Sequence, residues 1–135
     1  MGVGKRMPDR QQTEAMVLAY FRAVDGEDLD GLLALLSPDC LFSVETHQVR
    51  LSGAAEISGM FRRLWSHHAS VRHDQFRFVT DASAGRVAVQ FQVTNQLQDG
   101  TQVFKSNCNF FTLNGDGLFD SVAVYMAGEN TLERA

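Results

Sequence analysis

The chain has 135 residues, which fits one compact domain with a core large enough to need no disulfides. Its formal net charge of −4 excludes the strongly basic surface that a nucleic-acid-binding protein presents. No apolar run reaches the roughly 18 residues of a membrane-spanning helix, and no secretory signal is found. These features predict a soluble, cytoplasmic protein with no nucleic-acid or membrane partner.

The two cysteines and the first residues of the chain predict no functional site. Cys40 and Cys108 are the two cysteines, and neither belongs to a Cys/His spacing that suggests zinc. We predict two buried free thiols in a reducing compartment. The polar residues 1–8 are predicted to form a flexible leader, and residues 9–135 a single domain.

Two amphipathic helices are predicted at the start of the domain. The first begins with a capping box of Asp9 and Gln12 and ends at Asp25-Gly26. The second starts near Asp28 and stops at Ser37-Pro38, because the residue before a proline disfavours the helical conformation. Apolar residues at helical spacing mark their buried faces: Val17, Tyr20, Phe21 and Val24, then Leu29, Leu32, Leu33 and Leu36.

Strands and one more helix complete the predicted elements. Residues 40–45 read as a strand, followed by a turn and a short strand that ends near Leu51. Ser52 can cap a third helix, which ends around His67-His68 and has an apolar stripe of Ile57, Met60, Phe61, Leu64 and Trp65. Period-two alternation then predicts strands over about 70–80, 86–98, 101–113 and 118–127. This order favours the α+β class, with helices on one face of an antiparallel sheet.

The Asp99-Gly100 dipeptide sets the predicted register of the central strands. Such a dipeptide is typical of a two-residue hairpin turn. The partners across the two strands would then be Gln92 with Asn107, Gln90 with Asn109, and Thr94 with Lys105 on one face. The opposite face would pair Val93 with Ser106, Phe91 with Cys108, and Val89 with Phe110.

The face that bears the amides has two interpretations. An alternating strand usually turns its polar side to water, which requires no function. However, Phe111 and Leu113 follow Asn109 on this face, so it is polar in the centre and apolar at one end. That combination suits a partly lined cavity, in which a buried amide finds its partner in a ligand.

Three segments resemble the NTF2-like superfamily, in particular its SnoaL-like and ketosteroid-isomerase-like branches. They are "YFRAVDGEDLDGLLALLSPDCLFSV" at 20–44, "LSGAAEISGMF" at 51–61 and "NFFTLNGDGLFDSVAVYMAGEN" at 109–130. The resemblance covers about residues 11–130. It implies a cone, in which a strongly curved sheet wraps against three helices around a pocket. It also implies that Asn107, Asn109, Phe111 and Leu113 face the pocket, and that the outer sheet face, with Val89, Phe91 and Phe110, forms a homodimer.

The resemblance implies roles for single residues. In the isomerase branch a tyrosine of the first helix and an acid of the penultimate strand donate hydrogen bonds to a developing oxyanion, while a carboxylate on the first strand moves a proton. Tyr20 matches the tyrosine and Asn109 the acid. Val44 occupies the position of the base and cannot move a proton, so classical steroid isomerisation is disfavoured. His47, in the following turn, is the best replacement.

Further residues complete the predicted site. Besides Gln90, Gln92, Asn107 and Phe111, the predicted ligand-binding residues are Met60, Phe61, Trp65 and Met126. His67, His68 and His73 lack a carboxylate at metal-binding spacing, so no metal is expected. No dinucleotide or phosphate-binding motif predicts a cofactor. The sequence thus favours a small-molecule-binding protein, with isomerase, cyclase or dehydratase chemistry by proton transfer; a non-catalytic binding or dimerisation module is the alternative.

Overall fold

The computed structural model describes residues 7–127 and confirms the predicted order of elements. The helices are α1 (Arg10–Asp25), α2 (Leu29–Leu33) and α3 (Gly53–His67). The strands are β1 (Leu36–Val44), β2 (Val49–Ser52), β3 (His68–Asp81), β4 (Arg86–Leu97), β5 (Gln102–Leu113) and β6 (Phe119–Met126). Residues 1–6 of the predicted leader and residues 128–135 of the predicted domain lie outside the described residues. Met7, assigned to the leader, packs against the core.

Helix α1 begins where its capping residues predict. The Asp9 carboxylate accepts a 2.8 Å hydrogen bond from the backbone N–H of Gln12, and the Gln12 side chain accepts one from the N–H of Asp9 at 3.0 Å. This reciprocal pair satisfies two of the N–H groups that a helix start leaves without partners. The stripe of Val17, Tyr20, Phe21 and Val24 is buried as predicted.

The second helix is shorter than predicted, and β1 starts earlier. Helix α2 ends at Leu33, and Leu36 already pairs with Phe119 of β6. Pro38 lies inside β1, in the stretch where the register with β6 shifts, so its missing N–H interrupts no regular ladder. At α3 the Ser52 side chain forms no cap; instead the Glu56 carboxylate accepts a 2.7 Å hydrogen bond from the Ser52 N–H.

The six strands form one mixed sheet in the order β2-β1-β6-β5-β4-β3. All neighbours are antiparallel except β1 and β6, which are parallel. Helix α1 packs on β3, and α3 packs on β1, β2 and β3. The chain therefore adopts the α+β cone of the NTF2-like fold, with its hydrophobic core between the three helices and the concave face of the sheet.

The predicted register of β4 and β5 is wrong by one residue. Asn107 pairs with Phe91 and Asn109 with Val89, because the hairpin has a three-residue loop rather than a two-residue turn. Leu97 and Thr101 close this loop through a 2.8 Å backbone hydrogen bond, and Gly100 takes a φ of +89°. A three-residue hairpin loop places its last residue in this left-handed region, which glycine adopts readily.

The one-residue shift decides which side chains share the concave face. Asn107 and Asn109 face the helices, as predicted, but Val89 and Phe91 lie beside them and are buried. Gln90, Gln92 and Thr94 point to the convex face, with Ser106, Cys108 and Phe110. The predicted placement of Val89 and Phe91 on the outer face is therefore wrong, whereas that of Phe110 is correct.

A bulge in β3 bends the strand around the cone. The register with β4 shifts between Asp74 and Arg77, and Gln75 takes a φ of +57°. Val71 and His73 face inward before the bulge, whereas Phe76 and Phe78 pack against the core after it. The extra residue thus lets one strand line the interior at both ends.

Gln75→Gly is expected to stabilise the protein, since only glycine occupies the left-handed region without steric cost. Relief of about 1–2 kcal/mol of left-handed strain, less about 0.5–1 kcal/mol for the greater backbone freedom of glycine in the unfolded chain, should raise the free energy of unfolding by about 0.5–1 kcal/mol, measured by urea denaturation. Gln98→Gly, in the exposed hairpin loop, is the comparison substitution, and it should give no gain. A destabilised Gln75→Gly protein would contradict the assignment of strain to this bulge.

Candidate active site

A cavity of about 100 Å³ lies between the concave face of the sheet and helices α1 and α3. Its apolar wall consists of Phe21, Val24, Phe42, Val44, Met60, Phe61, Leu64, Val71, Phe91, Val93, Val124 and Met126. Its polar lining consists of Tyr20, His73, Asn95, Lys105, Asn107 and Asn109. A mostly apolar pocket with a few polar groups is typical of a small-molecule site.

Two amides lie on the part of β5 that lines this cavity. Asn109 is 3% exposed and Asn107 8%, and the Oδ1 atom of each is buried without a hydrogen-bond partner among the described residues. Their neighbours across β4 and β6 are apolar: Phe91 and Met126 beside Asn107, Val89 and Val124 beside Asn109. An unpaired buried amide group costs about 1–3 kcal/mol, so each oxygen calls for a partner that residues 7–127 do not supply.

Tyr20 projects from α1 toward the same cavity. Its ring is held edge-on by Phe21, Phe61 and Phe111, with centroid distances of 5.0, 6.4 and 5.1 Å. Burial, followed by the nearby Cys40 thiol, raises the pKa of the Tyr20 phenol above its ordinary range. The phenol therefore stays protonated and can donate a hydrogen bond to a ligand oxygen.

A carboxylate and an imidazole form a pair at the cavity wall. The Asp25 carboxylate contacts His73 twice, accepting from its backbone N–H at 2.8 Å and meeting its Nδ1 at 2.5 Å. If Nδ1 carries the proton donated to Asp25, Nε2 is left with a free lone pair. His73 lines the cavity, and its ring packs against Phe21 and Phe91 at 4.9 and 5.5 Å. In that tautomer His73 is a cavity-lining group that can accept a proton.

Asp25 lies where a helix disfavours a negative charge. It is the last residue of α1, where the helix dipole disfavours negative charge and favours positive charge. The Nδ1 of His73 meets this carboxylate at the carboxyl-terminal end of α1. Trp65 fixes this end, because its indole N–H donates a 2.8 Å hydrogen bond to the carbonyl of Val24.

The structure brings together part of the predicted site. Tyr20, Met60, Phe61, Asn107, Asn109 and Met126 line the cavity. Phe111 and Trp65 do not line it. The ring of Phe111 packs against that of Tyr20, and the indole N–H of Trp65 donates a hydrogen bond to the Val24 carbonyl of α1. Gln90 and Gln92 lie on the exposed convex face. Their predicted place in the cavity is wrong, because it followed from a register that differs from the observed one by one residue.

His47 also lies outside the cavity lining. It ends the 3-10 turn after β1, where its Nδ1 is 3.0 Å from the hydroxyl of Thr46. Val44, by contrast, is buried and contributes an apolar wall at the position where the resemblance implies a base. His73 of β3, by contrast, lines the cavity and carries an imidazole, a group that can accept a proton.

Sequence reasoning missed Asp25, His73 and Lys105 as site residues. Asp25 was assigned only to the end of α1, and His73 only to an unsupported metal set. One local signal was present, an acid in the last turn of a helix, where basic residues are preferred.

Within residues 7–127, no group of three His, Cys, Asp or Glu side chains is arranged to hold a metal ion. No helix of this part of the chain is long and apolar enough to span a membrane.

Several solved structures are similar to this protein in fold. A proposed polyketide cyclase from Xanthomonas campestris pv. campestris is 21% identical, with 93% of this chain and 95% of that one covered and a TM-score of 0.80. The epoxide hydrolase/cyclase-like enzyme SalBIII, described in pyran ring formation in the polyether salinomycin, is 20% identical over 88% of this chain and 93% of its own, with a TM-score of 0.77. TerC, co-crystallised with polyporic acid, is 18% identical over 83% of this chain and 88% of its own, with a TM-score of 0.72.

At these identities the three solved structures establish the fold. No protein with a curated description matches the sequence. The model of the SnoaL-like domain matches residues 17–121, which is most of the chain and includes every residue of the cavity lining except Val124 and Met126. The chain therefore belongs to the SnoaL-like family of the NTF2-like superfamily.

Proposed function

We propose that this protein binds a small, mostly apolar molecule with a carbonyl or hydroxyl group and catalyses proton transfer on it. Isomerisation, cyclisation and dehydration are the reactions that such a transfer serves. The observation that carries the proposal is the Asp25–His73 pair, whose imidazole lines the same cavity as Tyr20 and Asn109. A base and two hydrogen-bond donors around one apolar space are the groups that enolisation of a carbonyl compound requires.

Each polar residue of the site has its own role in the proposed proton transfer. Nε2 of His73 removes a proton from the carbon next to the carbonyl, and Asp25 stabilises the imidazolium that forms. The Tyr20 hydroxyl and the Asn109 amide N–H donate hydrogen bonds to the carbonyl oxygen as it gains negative charge. His73 then returns the proton to another carbon in an isomerisation, or to a departing hydroxyl in a dehydration. The apolar wall excludes water, which strengthens each of these interactions.

The names of similar structures favour this class of chemistry. A proposed polyketide cyclase and a cyclase-like enzyme of pyran ring formation share the fold. A polyketide and a pyran ring both contain oxygen, which agrees with the amides and the phenol in this cavity. The proposal involves no cofactor or metal, since each step uses the side chains of this chain.

A non-catalytic binding module is the second candidate, and Val44 is the observation that favours it. With an apolar residue at the expected base position, the cavity can bind a ligand without any chemistry on β1. The two candidates differ in the fate of the ligand: a binding module returns it unchanged, whereas the enzyme exchanges or moves its protons.

Proton exchange tests the proposal directly. Cyclic ketones, with 2-tetralone as the first probe, are incubated with the protein in D₂O, and loss of the α-proton signal is followed by NMR. We expect exchange faster than the buffer background, and Tyr20→Phe should lower it by about 10²–10³-fold, since one oxyanion donor is removed. Asn109→Ala should lower both exchange and affinity. Unchanged affinity and exchange in Asn109→Ala would show that the site is wrongly assigned.

We also propose a homodimer that forms through the convex face of the sheet. Phe110 and Tyr125 lie together there, with ring centroids 5.7 Å apart, and both are more than one-third exposed. An exposed apolar pair at the centre of a sheet suits an interface between two copies. Sedimentation at micromolar concentration should show twice the 15.0 kDa chain mass, and Phe110→Asp should halve it. A 15.0 kDa species of the unmodified protein would refute the dimer.

A further inference from the structure

The side-chain oxygen of Asn107 is an acceptor whose partner is not found in the part of the chain that the structure describes. Asn107 lines the cavity and is 8% exposed, and its buried Oδ1 accepts no hydrogen bond from residues 7–127. Proteins rarely keep such a group, because a carbonyl oxygen that leaves water without a replacement partner lowers stability. The oxygen of this cavity-lining amide therefore calls for a donor from outside the protein.

The sheet gives Asn107 no donor side chain on either side. Its neighbours in the same row are Phe91 of β4 and Met126 of β6, and neither side chain carries an N–H or O–H group. Both neighbours line the cavity, so a ligand that contacts Asn107 has apolar surface on two sides. The cavity is thus the direction from which a donor can approach this amide.

A small side-chain rotation is sufficient for this contact. The Oδ1 atom of Asn107 is buried, whereas the side chain as a whole borders the cavity. The last torsion of an asparagine side chain is broad, so the amide can turn its oxygen toward a ligand within its favourable range. Asn107 can therefore exchange an unpaired state for a bonded one when a ligand enters the cavity.

The apolar lining restricts the chemistry of the donor. Most side chains around the cavity are apolar, and a ligand ammonium or guanidinium group would lose its hydration there at a high cost. A neutral hydroxyl group loses far less, and it can accept a further hydrogen bond while it donates to the amide oxygen. The ligand group that best fits Asn107 is therefore a neutral hydroxyl.

Strand geometry sets the distance between this hydroxyl and the reacting carbonyl. Asn107 and Asn109 are alternate residues of β5, so their side chains project from one face about 7 Å apart. In the proposed function Asn109 binds the carbonyl oxygen, and a hydroxyl at Asn107 then lies at the far end of the ligand. Such a spacing suits a fused bicycle or a para-substituted ring, and it is too long for a hydroxyl on the carbon next to the carbonyl.

We infer that the ligand is a hydroxylated ketone whose hydroxyl, remote from the carbonyl, donates a hydrogen bond to Oδ1 of Asn107. The inference rests on the proposed function, because it names the substrate class of the same cavity. Asn107 is then a specificity-determining residue, which selects hydroxylated ketones over ketones of the same shape that lack the hydroxyl. It takes no part in the proton transfer, so its replacement affects affinity rather than kcat.

Two bicyclic ketones that differ in one group test this inference. 6-Hydroxy-2-tetralone carries the donor, and 6-fluoro-2-tetralone replaces it with an atom that cannot donate. Calorimetric titration of the unmodified protein should show about fivefold tighter binding of the hydroxy ketone, the factor that one net hydrogen bond supplies. Asn107→Leu, which removes the amide at similar size, should abolish this preference. Gln90→Leu, which removes an exposed amide from the convex face, should retain it.

Stability gives a second readout that needs no ligand. Leucine can occupy the place of Asn107 without a polar group that loses its hydration, so Asn107→Leu should raise the melting temperature measured by circular dichroism. Should the leucine variant be destabilised instead, titration of Asn107→Ala decides. A lost preference for the hydroxy ketone supports the contact with the ligand, and a kept preference shows that the amide serves the fold.

The outcomes separate this inference from the proposed function. If the unmodified protein binds both ketones equally, or if folded Asn107→Leu keeps the preference, the hydroxyl contact is refuted while the cavity for small ketones stands. If the preference is present but neither ketone exchanges its α-protons in D₂O, the catalytic proposal fails and the assignment of Asn107 is retained. If neither ketone binds at millimolar concentration, both are overturned.

Discussion

Replacement of His73 by Gln is expected to lower the exchange of α-protons by about 10²–10⁴-fold, the contribution of a general base. Gln keeps the size and a polar end but cannot take up a proton at neutral pH. The loss should appear in kcat, because the residue acts on the reacting hydrogen rather than on binding. NMR in D₂O measures the rate, and ligand titration checks that affinity changes little.

Asp25→Asn should produce a loss of similar size for a different reason. The Asn amide can donate to Nδ1 of His73, which would place the imidazole proton on Nε2 and remove the free lone pair from the cavity. Asp74→Asn is the matched control, since this neighbouring acid pairs with Arg72 at 3.2 Å on the partly exposed side of β3.

His47→Gln tests the competing base. The side chain of His47 does not line the cavity, so the substitution should leave exchange near the unmodified rate. If His47→Gln abolishes exchange while His73→Gln does not, the base lies in the turn after β1, and the role of the Asp25–His73 pair is structural.

Phe111→Ala is expected to have the largest effect on stability. Phe111 is 1% exposed and packs against Tyr20, Phe21 and Phe119. Removing a buried phenyl ring typically costs about 3–5 kcal/mol, because the transfer free energy is lost and a cavity remains. A domain of this size has only about 5–15 kcal/mol of stability, so the melting temperature should fall sharply.

Phe104→Ala is the matched control on the same strand. Phe104 is 70% exposed, on the convex face of β5, and its removal should change the free energy of unfolding by less than about 0.5 kcal/mol. Urea denaturation of the two variants compares the faces of β5 directly. Equal losses would contradict the orientation of the strand on which the candidate site depends.

Local signals were sufficient for most elements of the fold. The capping box at Asp9 and the stripe through Tyr20 predicted α1, because both depend on residues three or four positions apart. Alternation placed Asn107 and Asn109 on one face of β5, which the structure confirms. The prediction of their neighbours on β4 was wrong, because an Asp-Gly dipeptide occurs in both two-residue and three-residue hairpin loops. One extra loop residue moves every side chain of the partner strand to the opposite face of the sheet.

The central pair of the candidate site could not be predicted from local pattern. Asp25 and His73 are 48 positions apart, and they meet only when α1 packs on β3. The bulge at Gln75 then lets His73, before it, and Phe76, after it, both face the interior. These relations depend on sheet curvature and helix packing, which no short segment encodes.

The polar residues Lys105, Asn107 and Asn109 on the concave face of β5 have a consequence for how this scaffold can change its chemistry. These three polar side chains stand on a single strand, while Val89, Phe91, Val93, Val124 and Met126 on both sides carry the packing. Saturation libraries at positions 105, 107 and 109 should therefore alter ligand preference with little loss of folded protein. Such a separation of recognition from packing would let descendants of one ancestral sequence acquire new substrates through few mutational steps.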